Sequence, residues 1–481
     1  MDDVAQRRSG RLLADLARIV GAANVTDDES ARAQASSSWF PLDAKEKQAS
    51  GNGLPARLHQ AVVSPANVEE VAALVRWANE TGTPLVPVGG ASNTVGGNRP
   101  TVGGNSVAVR LARLQNLALD EDSLLCQAGA GHTLGDLEEV LNRHGCTLGH
   151  VPQSLHLATV GGSVATNAAG LLSGKYGRQA DLTLALEVVL PTGEIVRTAP
   201  APGASAGPDL TRLFVGSEGT LGIVTEATLK LFLLPEARAW AAFTFSTFAL
   251  GLDALRLMHR TDARPACVRL FDPDGAADLL TRHNLAPGSA LLLFAFEGNE
   301  LSQTGPYQIA HAVCQKSGGT EQPPDLGETF WDERFQTGWL APNARAGGLA
   351  DVFALSAAWK QARAVHDGVR AALSPLVTQI HVHAGHADAH GTALDFVFQA
   401  RAEPATAQAA ADLYARICDA AAAACRASGG AFVHHYGVGV ARPHALEDQN
   451  GPAGQIALAR IKAALDPNNI LNPGKLLESE P

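Results

Sequence analysis

Three glycine segments, each set against an apolar run of strand length and all within about 150 residues, constrain this chain more than any other feature. The first, Pro87-Val88-Gly89-Gly90-Ala91-Ser92-Asn93, ends the apolar run 84–88. The second leads from Pro152-Gln153-Ser154 into Thr159-Val160-Gly161-Gly162-Ser163-Val164-Ala165-Thr166. The third, GSEGTLG, carries Glu218, Gly219 and Gly222 and enters a further apolar run at Ile223. Glycine permits positive φ and has no Cβ, so successive backbone N–H groups are able to converge on an anion. One glycine pair is an ordinary tight turn. Three of them beside strands in one unit point to a diphosphate cradle with hydroxyl donors from Ser and Thr. The spacing is not GxGxxG, which disfavours a Rossmann nicotinamide site.

Around these segments the pattern is α/β. Residues 61–63 read as a short strand, and Asn67 with Glu70 as a capping box. Val68, Val71, Leu74 and Val75 then share one helix face, and Gly82 stops the helix. Apolar or alternating runs recur at 106–111, 124–128, 184–190 and 223–234, with a helix at 134–143. The composition shifts near 234–236. Beyond it, strands at 240–245, 268–271, 291–296 and 393–399 alternate with helices at 248–259, 306–316 and 405–427. That is a second α+β unit on an antiparallel sheet. Residues 318–350 read as an irregular loop over a site, and 454–465 as a final helix. The expected division is a helical segment 1–60, a cradle domain 61–235, a substrate or cap domain 236–430, and a C-terminal segment 431–481.

The 481 residues suit two or three domains, and the 46% apolar content suffices for large cores. A net charge of −11 without a basic stripe disfavours nucleic acid as a partner. The longest apolar runs are of strand length, too short for a membrane span. The amphipathic N-terminus lacks a signal-peptide core, and six scattered cysteines form no CxxC pair. Cytoplasmic localisation is the expectation. A homodimer is left open.

The runs TVGGSVATNAAG, KYGRQADLTLALEVVLPTG and GSEGTLGIVTEATLKL resemble, in order and spacing, the FAD-binding domain of the vanillyl-alcohol oxidase superfamily, or PCMH-type fold. The resemblance is strong over 61–234 and continues weakly to ILNPGKLL at 470–477. It implies an α+β fold, a two-subdomain FAD-binding unit plus a cap domain with an antiparallel sheet. It places Gly89, Gly90, Ala91, Ser92 and Asn93 around the pyrophosphate. Thr159, Gly161, Gly162, Ser163 and Thr166 would line the flavin, and Ile223 the adenine end. Pro87, Pro152, Ser154, Tyr176, Glu218, Gly219, Gly222, Asn472 and Lys475 complete the implied cofactor set, with Lys475 offsetting charge on the reduced ring. The loops lack the histidine or cysteine that tethers FAD in many members, so non-covalent FAD is expected.

Two histidine segments follow, IHVHAGHADAHG at 380–391 and HHYGVG at 434–439. Imidazole serves near neutral pH as base, proton shuttle or metal ligand. The second segment resembles the HHHGVG of alkylglycerone-phosphate synthase, with Tyr436 in place of the third histidine. The strand with Arg269, and His383 with His386, also resemble that enzyme, but Asp395 stands where it carries a tyrosine. The other resemblance is to D-lactate and D-2-hydroxyglutarate dehydrogenases. Their metal motif would map onto His383, His390 and His434, a site for Zn²⁺ or Mn²⁺. A hydrogen-bonded polar wall is the other reading of the same three residues.

The expected function is oxidation of a small 2-hydroxy acid or related alcohol by hydride transfer to flavin, with an electron acceptor the sequence does not name. His435 is the candidate base, titrating near the ordinary histidine value, with Gly437 and Gly439 bringing its imidazole close to a ligand. Tyr436 and His434 assist it. Arg269, then Arg345, would bind a substrate anion, with His386 beside them. The alternatives are a synthase-like flavin transferase without net redox, and a catalytically decayed flavin-binding protein.

Overall fold

The fully apolar runs of the first half form a parallel sheet, as expected of strands covered on both faces. Ala61–Val63, Val107–Arg110 and Leu85–Val88 lie side by side, with Val25–Thr26 antiparallel at one edge. The helix Val68–Thr81 buries Val71, Leu74 and Val75. Asn67 Oδ1 accepts from the Glu70 N–H at 2.9 Å, and Gly82 ends the helix at φ 64°. The reciprocal half of the capping box is displaced by one residue, since the Glu70 carboxylate accepts from the Ala66 N–H. The structure, a computed structural model, describes residues 2–477 except Asn52, Val102, Pro202, Ala204, Asp262, Pro443 and His444.

A second, five-stranded antiparallel sheet orders Leu117–Asp120, Leu125–Gly129, Ile223–Lys230, Thr183–Val189 and Ile195–Arg197. The N-terminal helix Asp2–Val20 sends Leu16 and Val20 into the same core as the parallel strands. Leu471 bridges to Leu85 in parallel, so the C-terminal segment extends that sheet. Six cysteines are buried and free. Among the described residues no helix is long and apolar enough to cross a membrane.

The second half is built on a seven-stranded antiparallel sheet. Its order is Thr320–Gln322, Ala237–Phe245, Ala290–Gly298, Cys267–Phe271, Gln379–Gly385, Gly391–Arg401 and Gly348–Ala358. Alternate side chains go to opposite faces. Val268, Leu270, Val382, Leu394, Phe396 and Phe353 enter a core shared with the helices Phe248–His259, Trp359–Leu373 and Ala407–Ala427. The opposite face is where the chemistry lies.

The structure adds three elements that the sequence reading did not include. The stretch 318–350 is not irregular throughout, for it holds the helix Asp325–Asp332. Gln379–Gly385 is itself a strand in which histidines alternate with small apolar residues. Gly348–Ala358 is a strand hidden by its alanines, secured by eleven register pairs with Gly391–Arg401. Propensity was overridden there by pairing with a strongly apolar neighbour. The final helix expected at 454–465 is present, and a further helical segment from Ala445 precedes it across a kink at Gly451, φ 67°.

Candidate active site

A single cleft runs from the glycine loops of the first half to the inner face of the seven-stranded sheet. At one pole stand Pro87, Gly89, Gly90, Ala91, Ser92 and Asn93, followed by Thr94 and Val95. The glycines are there because two loops touch. A Cβ on Gly90 would lie 1.6 Å from the Leu157 carbonyl oxygen, and one on Gly89 2.4 Å from Thr159 Oγ1. Among the described residues, the seven consecutive backbone N–H groups of 89–95 donate to no protein acceptor. Such a run lining a cleft has the make-up of an anion nest. Asn93 shapes the nest, accepting from the Gly97 N–H at 2.9 Å and donating to Asn98 Oδ1 at 3.0 Å.

Pro152, Ser154, Thr159, Gly161, Gly162, Ser163 and Thr166 also line the cleft. The expectation that their hydroxyls serve a ligand is corrected at two positions. Ser163 Oγ donates to Gln179 Oε1 at 3.1 Å, and Thr166 Oγ1 to the Gly162 carbonyl at 2.9 Å, so each spends its single proton inside the protein.

Glu218, Gly219, Gly222 and Ile223 form the third wall. The Glu218 carboxylate accepts from the Val438 N–H at 2.6 Å and the Gly439 N–H at 2.8 Å. A Cβ on Gly437 would come 2.8 Å from that carboxylate. The glycines of the HHYGVG motif also seat Glu218. Burial raises the Glu218 pKa and the two N–H bonds oppose that rise. Asn472 also lines the cleft, donating from Nδ2 to the Glu218 carbonyl at 2.7 Å.

Two residues of the implied cofactor set lie outside the cleft. Lys475 Nζ donates to the Arg99 carbonyl at 2.9 Å, and burial lowers its pKa to about 8. Its ammonium does not line the cleft. Tyr176 is a core residue packed on Phe232 at 4.7 Å between ring centres.

The other pole follows from strand register. His383 faces Asp395 and Phe271 faces His383, so Arg269, Phe271, His381, His383, Asp395 and Val397 all present to the cleft. Asp395 Oδ2 accepts from His383 Nε2 at 3.1 Å and pairs with Arg269 Nη1 at 3.4 Å. The carboxylate is 2% exposed. Burial opposes its charge, but the His383 hydrogen bond and the surrounding imidazoles hold it below the usual carboxylate range. Burial, with Arg269, pushes His383 down to about 4. A carboxylate only accepts, so Nε2 carries the proton of neutral His383 and Nδ1 keeps a lone pair.

His386, His435 and Tyr436 close this pole. His434 stands behind His435, their Nδ1 atoms 2.9 Å apart, and His386 lies 4.7 Å from His435 between ring centres. His386 Nδ1 is 2.7 Å from Ser173 Oγ. His435 is pushed down to about 4, chiefly by burial, with Asp395 opposing. The expected titration near the ordinary histidine value is thereby corrected. Tyr436 adopts φ 83°, and burial raises its phenol pKa. Of ten non-glycine residues at positive φ, Ala91, Glu218, His386, Tyr436 and Asn472 line the cleft, so backbone strain concentrates at this site.

Arg345 and His390 do not come to it. Arg345 is exposed, and its backbone bonds Lys45 Nζ, the Gly348 N–H and the Pro342 carbonyl while its side chain stays out of the cleft. His390 lies in an exposed turn whose N–H groups bond Asp388. His383, His390 and His434 are not brought together, and among the described residues no group of three metal-binding side chains has the geometry to hold an ion. Of the three, only His383 stands in the wall of the cleft, hydrogen-bonded to Asp395. Sequence reasoning missed Asp395 as a site residue, along with the aromatic lining of Trp39, Phe330 and Trp339. The signal for Asp395 was there, an acid between Leu394 and Phe396 in an apolar strand, which demands a buried partner.

The FAD binding domain family matches residues 59–199, and the family described as FAD linked oxidases, C-terminal domain, matches residues 234–476. The chain belongs to the FAD-linked oxidases. FAD is its cofactor, and it is an FAD-linked oxidoreductase. Alkyldihydroxyacetonephosphate synthase of Caenorhabditis elegans is 28% identical to it over 88% of this chain and 76% of that protein. The mitochondrial D-lactate dehydrogenase [cytochrome] of Arabidopsis thaliana is 29% identical over 86% and 73% respectively. The structure of p-cresol methylhydroxylase superposes with a TM-score of 0.78 at 18% identity, covering 98% of this chain and 97% of that one. The expected PCMH-type α+β fold is borne out.

Proposed function

We propose that this FAD-linked oxidoreductase oxidises a small 2-hydroxy acid or a related alcohol, with His435 as the proton acceptor. The observation that carries the reading is the state of His435 in the cleft shared with the cofactor loops. Its Nδ1 is engaged by His434, its Nε2 has no protein partner among the described residues, and burial keeps the ring neutral. A neutral, oriented imidazole facing a cleft is a ready general base.

The nest at 89–95 would hold the diphosphate of FAD, and Pro152, Ser154, Gly161, Gly162, Gly222 and Ile223 its rings. FAD, when bound, supplies a hydride acceptor. His435 takes the hydroxyl proton as the carbinol carbon gives up its hydrogen with the bonding electrons. Tyr436, kept protonated by burial, donates to the substrate oxygen. Phe271, Phe330 and Trp339 exclude water around the reacting carbon. Anaerobic mixing with a panel of alcohols and 2-hydroxy acids tests the reading through loss of flavin absorbance. No bleaching by any of them sinks it.

The likeness to alkyldihydroxyacetonephosphate synthase favours a second reading, group transfer without net oxidation. Under that reading a productive substrate turns over while the flavin ends each cycle oxidised, with no electron acceptor required. Attachment of FAD is non-covalent in either case. Acid precipitation is expected to release all flavin to the supernatant, and fluorescence left on the polypeptide would overturn this.

A further inference from the structure

At the sheet pole three buried polar atoms lack a protein partner among the described residues, namely Asp395 Oδ1, His383 Nδ1 and Arg269 Nε. All three residues line the cleft. Two of these atoms are acceptors and one is a donor, because the Asp395 carboxylate fixes the His383 proton on Nε2. Arg269 is the only lysine or arginine among the described lining residues, and its charge is already met by Asp395 at 3.4 Å. A substrate carboxylate or phosphate only accepts hydrogen bonds. It would satisfy Arg269 Nε, leave both acceptors bare, and set a second negative charge against Asp395 in a site shielded from water.

We infer that the substrate is an uncharged vicinal diol rather than a 2-hydroxy acid, with its second hydroxyl held between Arg269 and Asp395. A hydroxyl accepts from Arg269 Nε and donates its one proton to Asp395 Oδ1, so it satisfies two of the three orphaned atoms where an anion satisfies only the donor. The reaction removes two electrons and two protons from the carbinol: the hydride goes to FAD, the hydroxyl proton to His435, and a hydroxyketone or hydroxyaldehyde leaves. Asp395 sets specificity in this scheme and takes no part in the bond changes. The inference rests on the oxidoreductase reading above and narrows its substrate.

The test uses the FAD-loaded enzyme and pairs sharing a carbon skeleton, 1,2-propanediol against lactate and 1-phenyl-1,2-ethanediol against mandelate, each as both enantiomers. The diols are expected to reduce flavin at least roughly tenfold more efficiently than the acids, the worth of one unpaired buried charged group. Asp395→Asn uncovers Arg269 and is expected to shift the ratio toward the acids by a similar factor, whereas Asp395→Glu keeps the parental order. Acids reacting as well as diols in the parent protein would overturn the inference while leaving the oxidoreductase reading intact. So would an unchanged ratio in Asp395→Asn. Should neither class bleach the flavin, the oxidoreductase reading fails, and flavin difference spectra then decide the specificity. Tighter 1,2-propanediol than lactate binding, reversed in Asp395→Asn, supports the assignment, and the opposite order removes it. If Asp395→Asn does not fold, the parental ratios and Asp395→Glu decide between diol and acid in the same way.

Discussion

The two poles of the cleft are made of different material. The pole at the glycine loops, proposed above as the cofactor pole, is made of backbone: seven consecutive N–H groups at 89–95 without protein acceptors among the described residues, exposed by glycines that have no room for a Cβ. The pole at the sheet, proposed above as the substrate pole, is made of side chains, Arg269, His383, His386, Asp395, His435 and Tyr436, carried on separate elements. A backbone site tolerates change at most side chains and fails when a Cβ is added. A side-chain site fails when one functional group is lost but keeps its shape. Mutations that respect this distinction give opposite readouts at the two poles.

The largest effect is expected at the substrate pole. His435→Asn should slow flavin reduction by about 10²–10⁴, the usual worth of a positioned proton acceptor, with FAD content and Tm close to the parent. A flavin-loaded variant reduced at the parental rate would take His435 out of the mechanism. Because burial pushes His435 down to about 4, the parental rate should be flat through neutral pH and fall only as pH drops toward that value.

The converse is expected at the cofactor pole. In Gly90→Ala the new Cβ meets a backbone carbonyl at 1.6 Å, so loops 89–95 and 154–162 must separate. FAD occupancy should drop steeply, while apo-protein that can be loaded at high FAD concentration keeps the parental reduction rate. Full occupancy after purification without added FAD would show that the loop contact is not what holds the nest.

A smaller effect is expected on stability. His59, His150 and His435, all buried, are pushed down to about 4 from an ordinary 6.5. Between those values the unfolded chain binds more protons, so stability is complete above the ordinary value and is lost as pH falls toward 4. Asp43 and Asp351, raised by burial to about 6, act in the opposite sense over part of that window. Melting followed from pH 7 to 4.5 should show a falling Tm, and a rise on acidification would mean that the carboxylates dominate. The smallest effect of all is expected at Arg345, whose exposed side chain lies outside the cleft. Arg345→Ala should leave flavin reduction and apparent substrate affinity unchanged, and a weakened affinity would place Arg345 in the site.

The difference between the poles also explains what could be read before the fold was known. The cradle, the Asn67 cap and the Gly82 stop are local demands of backbone conformation, and each shows as a residue type at a fixed place. The strands flanking the cradle were legible for the same reason, their apolar runs being short and bounded by turns. Gly348–Ala358 was not, because alanine favours a helix as readily as a strand until Gly391–Arg401 pairs with it. Tyr176 and Lys475 sit in the expected motifs and yet point away from the cleft, since motif membership does not fix which side of an element a residue faces.

By itself, then, the sequence located the glycine loops that line one end of the cleft, with Gly89, Gly90, Gly161, Gly162, Gly222 and Ile223 among them. The tertiary structure decided the substrate pole. Arg269 and Asp395 lie 126 residues apart and meet only because three antiparallel strands fall in one register. A slip of one residue in either pairing would send His383 or Asp395 to the opposite face, into the apolar core. Backbone geometry is written residue by residue along the chain. The convergence of side chains from distant strands is fixed only when the sheet closes, and that is why the charge partner of Arg269 was visible only in the fold.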